Sequence, residues 1–434
     1  MPAARRFAIR LTAAVAVSFA SAGIAAVTAP QAHAASNVRF GLHDDAWLVN
    51  GPGTLEERLT KLDELGVQLV RFNLRWDAIA RERPAEATSP ADPAYDWTDD
   101  DAVLNGLRAH GIAVVLGLLG TPTWANGGRP SNYAPTSAQS FGAFTTAAAQ
   151  RYSWVKKWLV WNEPNQQRWL RPTQPAIYVT RLLNPAYAAL HATIHGVQVG
   201  GGVTAPRGAT AGVSPVAWIR GMHAVGAHLD AYAHNPYPLS PKSESPRSGG
   251  CAHCATITMA TIGKLVTEVS RNFGSARIWL TEYGYQTNPP DRLLGVSQLQ
   301  QARYIGDAAL VAYRTPRVDM LIQFLYRDEP NVDRFQSGLV RLDGAEKLAY
   351  TAFELPLTEL SRAGTRTSLW GQLRAPAAGR SYRIQKLVGG TWTDVTMQLQ
   401  ASPAGYFRYT GTLPPGTQVR VVAGSITSPP LLVT

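Results

Sequence analysis

Cysteine is nearly missing from this chain: 434 residues contain two, Cys251 and Cys254, in the run CAHC. One C-x-x-C enclosing a histidine is half a metal site or a redox pair, and no second cysteine pair completes a structural zinc site. In an exported chain the same spacing suits a local disulfide that pins a loop, and that pairing is the expectation. The bulk of the fold therefore rests on an apolar core, for which a 45% hydrophobic composition suffices. A block of basic residues is also lacking. Lys and Arg outnumber Asp and Glu by 41 to 30, yet they are scattered, which argues against a nucleic-acid arm. A basic surface suits anionic polysaccharide, cell wall or membrane headgroups. A solvated face that is merely basic is the simpler reading. No run after the N-terminal region is long and apolar enough to span a bilayer, so no transmembrane segment is expected. Nothing resembles the glycine-rich turn of a dinucleotide-binding sheet.

What is present begins with a leader. Arg5, Arg6 and Arg10 precede the small apolar run TAAVAVSFASAGIAAV, and Ala32-His33-Ala34 follows. That order is the charged start, apolar centre and A-x-A exit of a secretory signal peptide over residues 1–34. A membrane anchor is the competing reading, weakened by the alanine-rich run and the small-residue exit. Loss of three arginines and no acid takes the formal charge from +11 to +8. The expectation is a secreted, extracellular protein.

Over 37–360, short apolar runs alternate with segments of helical period. The strand candidates are VRFGLHDD, VQLVRFNLRW, IAVVLGLLG, WLVWNEP, VQVGGGVTAP, LDAYAHNPYP, RIWLTEYGY and DMLIQFLYRDEP. Helices are expected over 54–65, 99–110, 138–152, 178–195, 259–273 and 296–313. Strands that mostly precede a helix, repeated eight times, predict an α/β chain folded as a (β/α)8 TIM barrel. Thr54 is placed to cap the first helix, and Gly66 to end it. Over 363–434 the pattern turns to short alternating segments punctuated by Gly389-Gly390 and Pro414-Pro415-Gly416, which predicts a small C-terminal β-sandwich, Ig-like or carbohydrate-binding-like. Trp370, Trp392, Tyr406 and Phe407 suit a carbohydrate-binding module there, and their alternation equally suits a sandwich core or a spacer.

The stretch WLVWNEPN places Glu163 between Asn162 and Pro164, straight after a core-type strand. In such a barrel, polar residues at the C-terminal ends of strands face the active site. Glu163 ends the fourth strand candidate and Glu282, in WLTEYGY, ends the seventh, so the two converge over one mouth. Paired carboxylates are what glycosidic cleavage needs, one to protonate the leaving oxygen and one to attack or to activate water. Pairing of Glu163 with a rim arginine is the alternative.

WNEPN followed by TEYGY resembles the retaining glycoside hydrolases of clan A, in which the acid/base follows Asn at the end of strand four and the nucleophile ends strand seven. VRFNLRW, LGTPTWA, HNPYP and GLVRLDGAEKLAYTAF extend the resemblance over most of 37–360. Families 39 and 5 are both similar. The resemblance implies a retaining double displacement with Glu163 as general acid/base and Glu282 as nucleophile. It implies that Asn162 holds the sugar 2-hydroxyl, that Arg71 keeps the nucleophile ionised, that Tyr237 hydrogen-bonds it, and that His234 lines the adjoining subsite. Clan members often carry a Trp at the end of strand eight, where this chain has QFLYRD. Phe324 or Tyr326 is the replacement expected.

Trp47, Trp124 and Trp169 lie beyond strands in polar or glycine-rich loops, where a ring is free to stack on a sugar, whereas Trp76, Trp97, Trp158 and Trp279 read as packing residues. His43, Asp44 and Asp45 end the first strand and can reach hydroxyl groups or simply face solvent. No metal or organic cofactor is expected, since two carboxylates carry the proton and bond work. The partner expected is a carbohydrate, with cell-wall association open. The rival readings are a noncatalytic glycan- or wall-binding protein on a barrel scaffold and a transglycosylase.

Overall fold

The computed structural model describes residues 38–434, so the leader expected over 1–34 lies outside the described residues. Eight parallel strands close into a barrel in sequence order: β1 (Arg39–His43), β2 (Leu69–Arg75), β3 (Ala113–Leu119), β4 (Lys157–Val160), β5 (Gln198–Thr204), β6 (Ala231–His234), β7 (Arg277–Tyr283) and β8 (Val318–Phe324). β8 pairs back onto β1, with Phe324 opposite His43. Every strand candidate read from the sequence is in this ring.

The helices follow from local signals. Thr54 caps the helix Leu55–Glu64 in a capping box with Glu57, satisfying first-turn amides that have no partner within the helix. Gly66 and Gly111, both at φ +69°, turn the chain from helix to strand in the left-handed region that costs glycine little. Helices also form in segments for which none was expected, the longest being Pro215–Ala224 and Leu348–Glu354. The first is capped by the Ser214 side chain, which accepts from the Ala217 amide, and opens on proline, whereas the second follows a long loop and has no side-chain cap.

Alternation along the strands builds the barrel interior. Leu69, Val115, Leu159, Ala231, Ala233, Trp279, Met320 and Ile322 form one buried cluster inside the ring, and the residues between them pack outward against the helices. The run of glycines in β5 has a packing reason. A Cβ on Gly200 would stand 2.7 Å from the Trp279 ring and 2.8 Å from Leu159, so the indole fills the barrel only because that strand carries no side chain there. Trp76, Trp158 and Trp279 have no exposed surface and Trp97 is 4% exposed, as expected of packing residues.

After the barrel come β9 (Leu357–Ala363), β10 (Arg366–Gln372), β11 (Ser381–Val388), β12 (Thr391–Asp394), β13 (Leu399–Gln400), β14 (Tyr406–Thr412), β15 (Gln418–Ala423), β16 (Ile426–Thr427) and β17 (Leu431–Leu432). They form two antiparallel sheets, β14-β10-β9 and β12-β11-β15-β16, with β13 paired to β11 and β17 to β15. β9 spans the junction expected between 360 and 363. Phe407, Tyr382, Ile384 and Val421 are in the core between these sheets. Trp370 and Tyr406 instead pack against Tyr313 of the last long barrel helix, at 5.3 and 4.8 Å between ring centres. Tyr406 Oη also donates to the Val38 carbonyl at 3.3 Å, so the sheets are docked on the barrel by aromatic burial. Of the four aromatics considered for glycan binding, Trp392 alone lies on the outer face, with the Arg420 guanidinium 4.4 Å from its ring centre.

Among the described residues no helix is long and apolar enough to cross a membrane, and no three His, Cys, Asp or Glu side chains cluster as metal ligands. Cys251 and Cys254 are joined by a disulfide in the loop before the helix Ile262–Phe273, and Lys264 Nζ donates to both of their carbonyls, at 2.7 and 2.8 Å.

Candidate active site

Each candidate carboxylate reaches the C-terminal end of the barrel through a local departure from strand geometry. After β4, Trp161 and Glu163 take φ of +71° and +40°, a region that side chains rarely occupy, and the Glu163 amide donates to the Val203 carbonyl at 2.9 Å. Strain of this kind persists only where surrounding structure enforces it, and it clusters at functional sites. Here it turns Asn162 and Glu163 out of the ladder. On β7 the pairing with β8 shifts between Leu280 and Tyr283, and that irregularity re-aims Glu282 away from the helix layer.

Arg71, fully buried on β2, ties the two ends together. Its Nη1 lies 2.9 Å from Glu282 Oε1 and donates to the Thr281 carbonyl at 3.2 Å, while Nη2 donates to Asn162 Oδ1 at 2.9 Å. The Asn162 amide nitrogen has no protein acceptor among the described residues, which leaves it for a ligand. Tyr237 Oη donates to Glu282 Oε2 at 3.3 Å, and His43 Nδ1 is 3.4 Å from Glu282 Oε1. His43 is held in turn by Asn73 at 3.0 Å and Asp45 at 3.4 Å. Burial lowers the His43 pKa, but Asp45 and Glu282 outweigh that and Arg71, leaving it above its ordinary value.

The two glutamates sit in opposed electrostatic settings. Burial and the charge of Glu282 push Glu163 up to about 7, against hydrogen bonding from Asn235 and the more distant Arg71. Burial also acts on Glu282, but Arg71, His43 and Tyr237 together overcome it and hold the carboxyl below the ordinary value. One carboxyl is thereby kept protonated and the other ionised over the same pH range, the division that acid and nucleophile require.

Asn235 is a site residue that sequence reading missed. Its amide donates to Glu163 Oε1 at 3.2 Å and its carbonyl accepts from Thr281 Oγ1 at 2.8 Å, linking the β4, β6 and β7 ends. The period of two could have found it, because Ala231 and Ala233 point into the barrel and Asn235 continues that parity.

His234 points the other way and corrects the expectation that it lines a subsite. It is fully buried, one ring nitrogen bonds Thr204 at 2.9 Å and the other the Ile257 carbonyl at 3.0 Å, and burial lowers its pKa to about 4. Trp47 and Tyr326 are not free platforms either. They stack on each other, 3.9 Å apart, and are 6% and 8% exposed. Phe324 stands at the β8 end instead, half-buried, 5.3 Å from His43 and edge-on to Tyr237. Asp44 serves the backbone, accepting from the Trp47, Tyr326 and Arg327 amides, while burial raises it to about 6. Trp124 donates its indole N–H to the Ala80 carbonyl at 2.8 Å and packs edge-on to Trp76, away from the glutamate pair's own contacts.

The fold and site together define a (β/α)8 barrel with an oppositely tuned carboxylate pair, Glu282 buried and Glu163 half-buried, at the C-terminal ends of its strands. Solved structures with this fold include the monomeric beta-xylosidase from Caulobacter crescentus CB15, 16% identical at a TM-score of 0.56 and covering 91% of this chain and 96% of that one. The GH39 enzyme from Xanthomonas axonopodis pv. citri is 14% identical at a TM-score of 0.57, over 91% and 94%. A bifunctional glucanase-xylanase from a metagenome library is 10% identical at a TM-score of 0.53, over 90% and 97%. No family model and no curated protein sequence matches the chain.

Proposed function

We propose that this chain is a secreted O-glycoside hydrolase that cleaves a polysaccharide or oligosaccharide with retention of configuration. The observation that carries the reading is the pair itself: Glu163 raised toward protonation, Glu282 held ionised by Arg71, at the C-terminal ends of β4 and β7 of one barrel. A glycan-binding scaffold gains nothing from holding two neighbouring carboxyls in opposite states. The fold shared with the xylosidase, glucanase-xylanase and GH39 structures supports the same reading.

In the mechanism, the Glu282 carboxylate attacks the anomeric carbon while Glu163 gives its proton to the departing oxygen. The carbon–oxygen bond to the leaving sugar breaks as the ester bond to Glu282 forms. Glu163, now a carboxylate, removes a proton from water, whose oxygen attacks the same carbon and releases Glu282. Asn162, held by Arg71, is positioned to donate to the 2-hydroxyl, a bond that tightens as positive charge develops on the ring. Tyr237 and Arg71 orient the nucleophile, and Phe324 offers an apolar edge to the sugar.

Because the acid must be protonated and the nucleophile ionised, kcat/KM should be bell-shaped in pH. Activity rises as pH climbs through the Glu282 pKa, which Arg71, His43 and Tyr237 hold below the ordinary carboxylate range, and falls through the Glu163 pKa near 7. A profile still rising above pH 8 would contradict the assignment. The stereochemistry is read by proton NMR of the first product from whichever glycan is cut: the anomer of the substrate supports double displacement, and the opposite anomer contradicts it.

A further inference from the structure

A cleft of roughly 350 Å³ opens over the ends of β2, β3 and β4, the last of which leads into Glu163. It is lined in part by Arg75 at the β2 end, by Asn132 from the loop after β3, and by Trp161, Arg168 and Trp169 of the β4 loop, with no acidic residue in its wall. Its place follows from the chain. Trp161 and Trp169 flank Glu163 in sequence, and the Trp161 indole donates to the Trp169 carbonyl at 2.8 Å. The β4 loop that carries Glu163 thus also forms a wall of this cleft.

The scattered basic residues of the sequence converge here. Beyond Arg75 and Arg168, the guanidiniums of Arg129 and Arg171 lie 5.0 and 5.8 Å from the ring centre of Tyr133, the residue next to Asn132. Arg171 and Arg129 also draw the Tyr133 phenol below its ordinary pKa. Arg75 is paired with Asp77, whereas Arg129, Arg168 and Arg171 have no carboxylate partner among the described residues. Arg75 and Arg168 thus line the cleft, and Arg129 and Arg171 stand beside Tyr133, next to its lining residues Pro130, Ser131 and Asn132. Such a group selects for negative charge. The fork of Arg matches carboxylate and sulfate oxygens, and unpaired cations at a cleft edge attract anions over about 10 Å at moderate salt.

We propose that this cleft receives the leaving-group side of an anionic glycan, one whose sugar beyond the scissile bond carries a carboxylate or sulfate. The proposal rests on the hydrolase reading. The Arg168 guanidinium stands over the Trp169 ring, 6.0 Å from its centre, so the two meet that sugar and its charge together, and Arg129 and Arg171 extend the positive field along the chain of the leaving glycan.

The test compares oligosaccharides of one backbone and length in three forms: neutral, uronate-substituted and sulfated. The ratio of kcat/KM for a charged form to that for the neutral form is expected to be about tenfold or more at low salt, a difference of ~1.4 kcal/mol. It should collapse as NaCl is raised to about 0.5 M. In Arg168→Gln with Arg171→Gln the ratio should fall at least about threefold, whereas Arg383→Gln, on the C-terminal sheet, leaves it as in the wild type. Preference for the uronate form assigns carboxylate as the source of charge, and preference for the sulfated form assigns sulfate. A ratio near one, or one that ignores both the salt and the double variant, overturns the proposal and leaves the hydrolase standing. No cleavage of any form, charged or neutral, overturns both.

Discussion

Replacing Glu282 by glutamine is expected to lower kcat/KM by about 10⁴-fold or more, some 5–6 kcal/mol of barrier, because no other carboxylate in contact with the site can form the glycosyl ester. Glutamine is nearly isosteric and still accepts from Tyr237. It also leaves Arg71 buried without its counter-charge, and an uncompensated buried charge costs about 3–5 kcal/mol of stability. The variant should therefore melt lower while keeping its circular dichroism at 25 °C. The double variant Arg71→Met with Glu282→Gln should recover part of that stability and none of the activity. Wild-type turnover in a folded Glu282→Gln protein would contradict the role given to this residue.

Glu163→Gln is expected to cost about 10²–10⁴-fold on glycosides whose leaving oxygen needs a proton. The loss should shrink on aryl glycosides with strongly acidic leaving groups, which depart as anions. The alkaline limb near pH 7 should also disappear with the group that produces it. In Glu163→Ala, added azide can resolve the intermediate without base assistance and should yield a glycosyl azide in the starting anomeric configuration. An equal loss on both kinds of leaving group would remove Glu163 from the acid role.

Much of this was legible because barrel strands carry their signal locally. Eight apolar runs, each closed by polar residues, locate the strands, and the two that close on Glu163 and Glu282 locate the chemistry. What was lost depended on contacts between distant residues. Trp47 looked like a free loop aromatic and Tyr326 like a replacement for the platform at the end of strand eight, and their mutual stacking joins chain segments 279 positions apart. His234 was expected to line a subsite through the resemblance of HNPYP to clan A, but strand parity sends it outward to Thr204 and Ile257 and brings the less conspicuous Asn235 to Glu163. His43 was assigned to sugar hydroxyls or solvent, and its place beside Glu282 follows from the register that sets β1 next to β2 and β8. The cluster of arginines over the β3 and β4 loops was invisible in a chain whose basic residues show no run.

The central claim is that this barrel cuts glycosidic bonds through Glu282. It is tested most directly by reducing-sugar release from β-glucans, xylans, mannans, galactans and a cell-wall extract, with the mature protein beside its Glu282→Gln variant. The account predicts release from at least one glycan by the wild type and none above background by the variant. Equal release by both, or silence from both with one glycan still bound, would contradict it.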